Sequence, residues 1–274
     1  MGAKAWWWSI PAIGVALALV GATLVEVVPL GRSGSAGSTD APVPVTSGPT
    51  PHAGPGEAAA RYGWGQVVAG DEFNYQGPPD SRRWRVYDSP GHAGQGKRRP
   101  SAWQVDGAAA TVTGDAEGTT GGMAYRDGQK HGRWEARMKL DVRARNYHPV
   151  ILLWPDVTTA ECPEVNFAEG TNNTTLAKFF LHYRCGEGGK SRATRSLDMT
   201  RWHNYAVEWT PTHITGYIDG YPYFVDSNRD HLPQVAMHAC IQLDWFPSKA
   251  RTRKTTMSVD WIRVYRIPDE AGAA

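Results

Sequence analysis

The chain has 274 residues, with 29 Lys and Arg against 27 Asp and Glu, a net charge of +2. A nucleic-acid partner needs concentrated positive charge, so this balance gives no reason to expect one. Three cysteines and no CxxC pair also speak against a structural zinc site.

The first 30 residues, MGAKAWWWSIPAIGVALALVGATLVEVVPL, place Lys4 before an apolar run from Ile10 to Val28. Two readings stand: a signal peptide with Val20, Gly21 and Ala22 as the cleavage site, or an uncleaved helix of near membrane-spanning length. Either predicts export, to the extracellular space or the cell surface. Membrane contact is expected only through this helix if it is retained. Residues 31–62 are rich in Gly, Ser, Pro, Thr and Ala and read as a disordered spacer. Residues 63–268 form the predicted domain, with a tail at 269–274.

Within the domain, WQVDGAAATVTG reads as a hairpin turning at Asp106 and Gly107. GRWEARMKLDV alternates, with Trp134, Ala136 and Met138 on one face and Arg133, Glu135 and Arg137 on the other. ILLW is a buried run. ECPEVNFAEG and LAKFFLHYRC read as a strand pair around the turn TNNTT. Two further strands flank Asp219 and Gly220, a strong hairpin signal. AMHACIQLDWF and MSVDWIRVYRI are the closing strands. No amphipathic helix is evident. Short strands separated by turn signals predict an all-β sandwich or jelly roll.

The acid-rich strand raises the functional question. Glu164 and Asn166 share a face by alternation. Glu169 reaches that face only if one residue is inserted as a bulge, a feature common beside active sites. Two glutamates so placed suit a retaining glycosidase, which needs its carboxyls about 5–5.5 Å apart. Their proximity splits their proton affinities, so one stays charged while the other holds a proton. A solvated acidic face or a calcium site is the alternative.

EVNFAE resembles the E-x-D-x-x-E signature of glycoside hydrolase family 16, in its laminarinase-like, bulged form. DEFN at 71–74, HGRWEARMKL at 131–140, PVILLWP at 149–155, WHNYAVEWTPTHITGYIDG at 202–220 and VDWIRVY at 259–265 resemble other family segments in the family's order. The resemblance spans about Gly65 to Ile267. It implies a concanavalin A-like jelly-roll sandwich of two antiparallel sheets with a concave substrate cleft. It also implies double displacement on a β-linked polysaccharide, β-1,3 or mixed β-1,3/1,4-glucan, with Glu164 as nucleophile and Glu169 as general acid/base. Asn166 stands where the family has Asp. Losing that charge should lower the proton affinity of both glutamates, giving reduced activity or an acid-shifted optimum. The alternative is a non-catalytic or weakly active glycan-binding protein of the same fold. A monomer without cofactor is expected; the family sometimes holds a structural calcium, but no ligand set is assignable.

Counting outward from TNNTT with one bulge residue sets Cys162 opposite Cys185, a predicted disulfide. Cys240 reads as a buried thiol. The same count sets His182 or Tyr183 opposite Glu164, one of them facing the cleft. Trp154, Trp245 and Trp103 are candidates to stack on sugar, against core packing as the alternative. Gln242 is a candidate polar contact.

Overall fold

The computed structural model describes residues 54, 56–141, 145–186 and 188–267. The expected N-terminal helix, most of the expected spacer and the 269–274 tail lie outside them. Among the described residues, no helix is long and apolar enough to cross a membrane.

Alternating apolar positions build two antiparallel sheets that face each other, the predicted sandwich. The nine-stranded sheet contains Gly132–Leu140 between His203–Trp209 and Thr255–Tyr265. The seven-stranded sheet runs Lys190–Ser196, Leu176–His182, Glu164–Gly170, Tyr147–Pro155, Met237–Trp245, Gly122–Tyr125 and Trp84–Val86. Between them lies the core, where Trp84, Trp134, Trp209, Phe167 and Phe179 are fully buried. Burying one such Phe contributes about 1.5–3 kcal/mol. A three-stranded ribbon of Ser89–Pro90, Lys97–Arg98 and Thr119–Thr120 lies beside the seven-stranded sheet.

The turns follow the sequence. Asp219 and Gly220 adopt φ of 50° and 75°, and Asp219 also accepts from the Asn204 N–H at 2.9 Å. In TNNTT, the Asn173 side chain accepts from the Thr175 N–H at 3.0 Å, closing an Asx turn.

One element departs from expectation. Ala58–Tyr62, within the stretch read as spacer, forms a short helix against the outer face of the nine-stranded sheet. Glu135 lies on the outer face, as alternation requires, but the helix covers it completely. Its carboxylate accepts from the N–H groups of Ala58 and Ala59 at 2.6 and 3.0 Å. Arg263 then bridges Glu57 at 3.0 Å and Glu72 at 2.8 Å, while Trp64 packs edge-on against Tyr217 and Tyr265. Five residues are too few to show a helical period.

Candidate active site

The acid strand pairs on both sides with a shifted register. Toward Leu176–His182, Glu164 pairs with His182, Asn166 with Phe180 and Glu169 with Lys178. Toward Tyr147–Pro155, Asn166 faces Leu152 while Ala168 faces Ile151. Phe167 is the inserted residue, and Val165, Phe167 and Ala168 are all fully buried in the core. The opposite face carries Glu164, Asn166 and Glu169 together. The Tyr223 hydroxyl donates to the Phe167 carbonyl at 3.1 Å, holding the bulge from the other sheet.

Glu164 and Asn166 are buried, and Glu169 is half-buried. Asn166 Nδ2 donates to Glu169 Oε2 at 2.8 Å, while the buried Asn166 Oδ1 has no partner. Burial, and next the charge of Glu169, raises Glu164 to about 8. Burial raises Glu169 to about 7, against the lowering effects of Asn166 and Lys178. The amide does oppose the shift at both carboxyls, as its lack of charge implies, but desolvation outweighs it.

The floor beside this strand is apolar: Ala124, Val150, Leu152 and Cys240, with Tyr87 and Trp154 packed against them. Cys240 is buried there, accepts from the Tyr87 hydroxyl at 3.4 Å, and has its thiol pushed up to about 12 by burial. Alternation along Met237–Trp245 puts His238, Cys240, Gln242 and Asp244 on this face, since Met237, Ala239, Ile241 and Leu243 enter the core. His238 pairs with Asp156 at 2.6 Å at one end. At the other, Asp244 pairs with Arg98 at 2.6 Å, beside His92 and the His148 ring stacked on Phe246.

Among the candidate residues, Glu164, Asn166, Glu169, Trp154, His182 and Gln242 therefore share the groove face. The register settles the choice between His182 and Tyr183. His182 lies across from Glu164, whereas Tyr183 packs on the core and stacks on His231 at 3.7 Å. Trp245 does not face the groove: it packs on the core cluster and its Nε1 donates to Thr252. Trp103 belongs to the nine-stranded sheet and is 4% exposed within the core. For both, core packing replaces the expected sugar contact. Cys162 and Cys185 form the predicted disulfide, just before Glu164 and after His182. Among the described residues, no group of three or more His, Cys, Asp or Glu could hold a metal.

Asp244, Arg98, His238 and His148 are additions that the sequence reading missed. Gln242 gave the signal, because period-two alternation carries His238 and Asp244 to its face.

A jelly roll with two buried glutamates on a bulged strand of its groove is the architecture of a glycosidase. The family model for Glycosyl hydrolases family 16 matches residues 97–263. The chain belongs to that family, and it is a glycosidase. No curated protein matches the sequence. Among solved structures, it is similar to the laminarinase catalytic domain from Thermotoga maritima (19% identity, 74% of this chain and 98% of that one, TM-score 0.66). It is also similar to the laminarinase from Rhodothermus marinus (21%, 73% and 96%, TM-score 0.64). A glycosyl hydrolase family protein from Mycobacterium fortuitum gives 21%, 73% and 100%, with TM-score 0.63.

Proposed function

We propose that the domain hydrolyses a β-linked polysaccharide, with a β-1,3 or mixed β-1,3/1,4-glucan backbone, by retaining double displacement. The observation that carries this reading is the bulge that turns Glu164, Asn166 and Glu169 onto one groove face. The solved laminarinases of similar fold supply the backbone.

In the first step, the Glu164 carboxylate attacks the anomeric carbon as the glycosidic C–O bond breaks. Glu169 gives its proton to the departing oxygen. In the second, Glu169 takes a proton from water, whose oxygen displaces Glu164. The first step needs one carboxylate and one carboxylic acid, the state of a buried pair holding a single shared proton; the second uses Glu169 as the carboxylate that the first step leaves behind, with Glu164 held as the glycosyl ester. Asn166 suits both forms of Glu169. Its amide N–H donates to the carboxylate, and turning the amide over offers the unpartnered Oδ1 to the acid form. The half-buried Trp154 lies on the groove face one position beyond Leu153, the partner of Val165, so it is placed to stack on sugar beside Glu164.

The Cys162–Cys185 disulfide supports export to an oxidising compartment. Reducing-sugar release from laminarin and lichenan tests the reading. Wild type is expected to release sugar, and Glu169→Gln to lose about 10²–10⁴-fold. Binding with no release, equal in wild type and Glu164→Gln, overturns catalysis and leaves a glycan-binding protein.

A further inference from the structure

Positive charge gathers on one side of the groove and at its end. Lys178 is the cross-strand partner of Glu169, and Arg192 is the partner of Phe180 on the edge strand. Alternation puts both on the groove face, because Ala177, Phe179 and Leu181 enter the core. Phe180 lies between them, with Lys178 Nζ 6.0 Å from its ring. It is half-buried, a flat apolar surface flanked by cations.

The second observation is separate. The row of Val150, Glu169 and Lys178 is followed by a row holding His148 and Asp244, where the strands end. From that end run the segments carrying Arg145 and the basic stretch KARTRK, residues 249–254. Arg145, Arg251, Thr252, Arg253 and Lys254 line a cavity of about 770 Å³ there, with Ala116 and Ala250. Arg145, Arg251, Arg253 and Lys254 are exposed, and among the described residues no ion pair engages any of them, nor Lys178 or Arg192. Elsewhere the chain neutralises its partly buried arginines: Arg98 with Asp244, Arg133 with Glu208, Arg263 with Glu57 and Glu72. Lys178 has Glu169 as its cross-strand neighbour, but the exposed cations at the groove's end, held near each other without an ion pair among the described residues, repel, and a bound polyanion relieves that repulsion. A neutral glucan does not.

We infer that the substrate is a polyanionic glycan bearing carboxylate or sulfate groups on its β-linked backbone. Lys178 and Arg192 hold it beside Glu169, and Arg145, Arg251, Arg253 and Lys254 hold the chain where it leaves the groove. This rests on the glycosidase reading and specifies the charge of its substrate.

The test uses three glycans with one backbone: laminarin, carboxymethylated laminarin and sulfated laminarin. Binding is measured with the Glu164→Gln protein, which retains the chain through the experiment. The charged forms are expected to bind at least about tenfold more tightly than laminarin, with the advantage shrinking as salt rises. Preference for one derivative alone assigns the anion as carboxylate or as sulfate. The double variants Lys178→Ala/Arg192→Ala and Arg251→Ala/Arg253→Ala should each reduce the preference, with unchanged thermal unfolding showing that they fold. Equal affinity for laminarin and both derivatives overturns the inference. So does a single-stranded DNA oligonucleotide that binds as tightly as the charged glycans. Wild-type activity settles the catalytic reading separately: release from laminarin with no preference for charge removes only this inference. No release from any glycan, with charged glycans still bound tightly, removes only the catalytic reading.

Discussion

Burial dominates the proton balance of the site, and Asn166 tempers it. Its amide lies against Glu169 and opposes the shift that burial imposes on both glutamates. The pair takes up its two protons near pH 7 and 8, so it holds one shared proton between these values, and the competent form is the tautomer of that state with the proton on Glu169 and Glu164 ionised. A bell-shaped pH–rate profile is expected, with limbs at about 7 and about 8. Below it both carboxyls are protonated and attack fails; above it both are ionised and the leaving group is not protonated. Asn166→Asp puts a third carboxylate in the same site, so both limbs should move up, by about one unit. A profile unmoved by that substitution would show that residue 166 does not govern the protons. The expectation of an acid-shifted optimum rests on charge alone and takes no account of desolvation. Depth of burial is not written in EVNFAE, because it depends on Leu152 and Trp154 from another strand and on Cys240 from a strand further off.

At the scale of the element, the acid strand was legible because chemistry and geometry had to agree. Two glutamates five apart can share a face only through one inserted residue, and the register places that residue at Phe167. Its anchor was not legible: Tyr223 is 56 residues away in the other sheet. Tyr223→Phe removes that hydroxyl and leaves the Phe167 carbonyl without it. Activity should fall together with about 1–3 kcal/mol of stability, measured by denaturant unfolding and sugar release. Alternation along Met237–Trp245 could have excluded Trp245, since Gln242 and Trp245 have opposite parity. Its aromatic chemistry suited sugar, and parity overrules chemistry where a sheet is buried on both faces. Counting through the bulge also found the disulfide. With its cysteines 23 positions apart, it should contribute about 3 kcal/mol by restricting the unfolded chain. Unfolding with and without reductant measures this, and both cysteines are exposed enough for reductant to reach.

At the scale of the molecule, two buried glutamates and the half-buried Glu169 make stability depend on pH. Burial raises Glu135 to about 7, alongside Glu164 at about 8 and Glu169 at about 7. A raised folded-state value means that the folded protein binds more protons than the unfolded chain. The contribution of these three groups is therefore greatest below the ordinary carboxyl range and is lost as pH rises through about 5 to 8. Glu164→Gln should remove part of that fall, raising the melting temperature at pH 8 and leaving it nearly unchanged at pH 4. No difference between the two pH values would refute the assignment. The sandwich itself was readable from short alternating strands and turn residues such as Asp219 and Gly220. Pairs such as Arg98 with Asp244, 146 residues apart, become neighbours only once the sheets are assembled.

The helix Ala58–Tyr62 and its Arg263 bridge lie on the face opposite the groove. Removing Arg263 would leave Glu57 and Glu72 facing each other, a loss of about 3–5 kcal/mol for a pair this buried. The arrangement has a mechanical meaning too. A pull applied ahead of Glu57 would be resisted by Arg263, Glu135 and the strands that carry them. Such a load would enter the nine-stranded sheet first, whereas the Glu164–Gly170 strand belongs to the seven-stranded one.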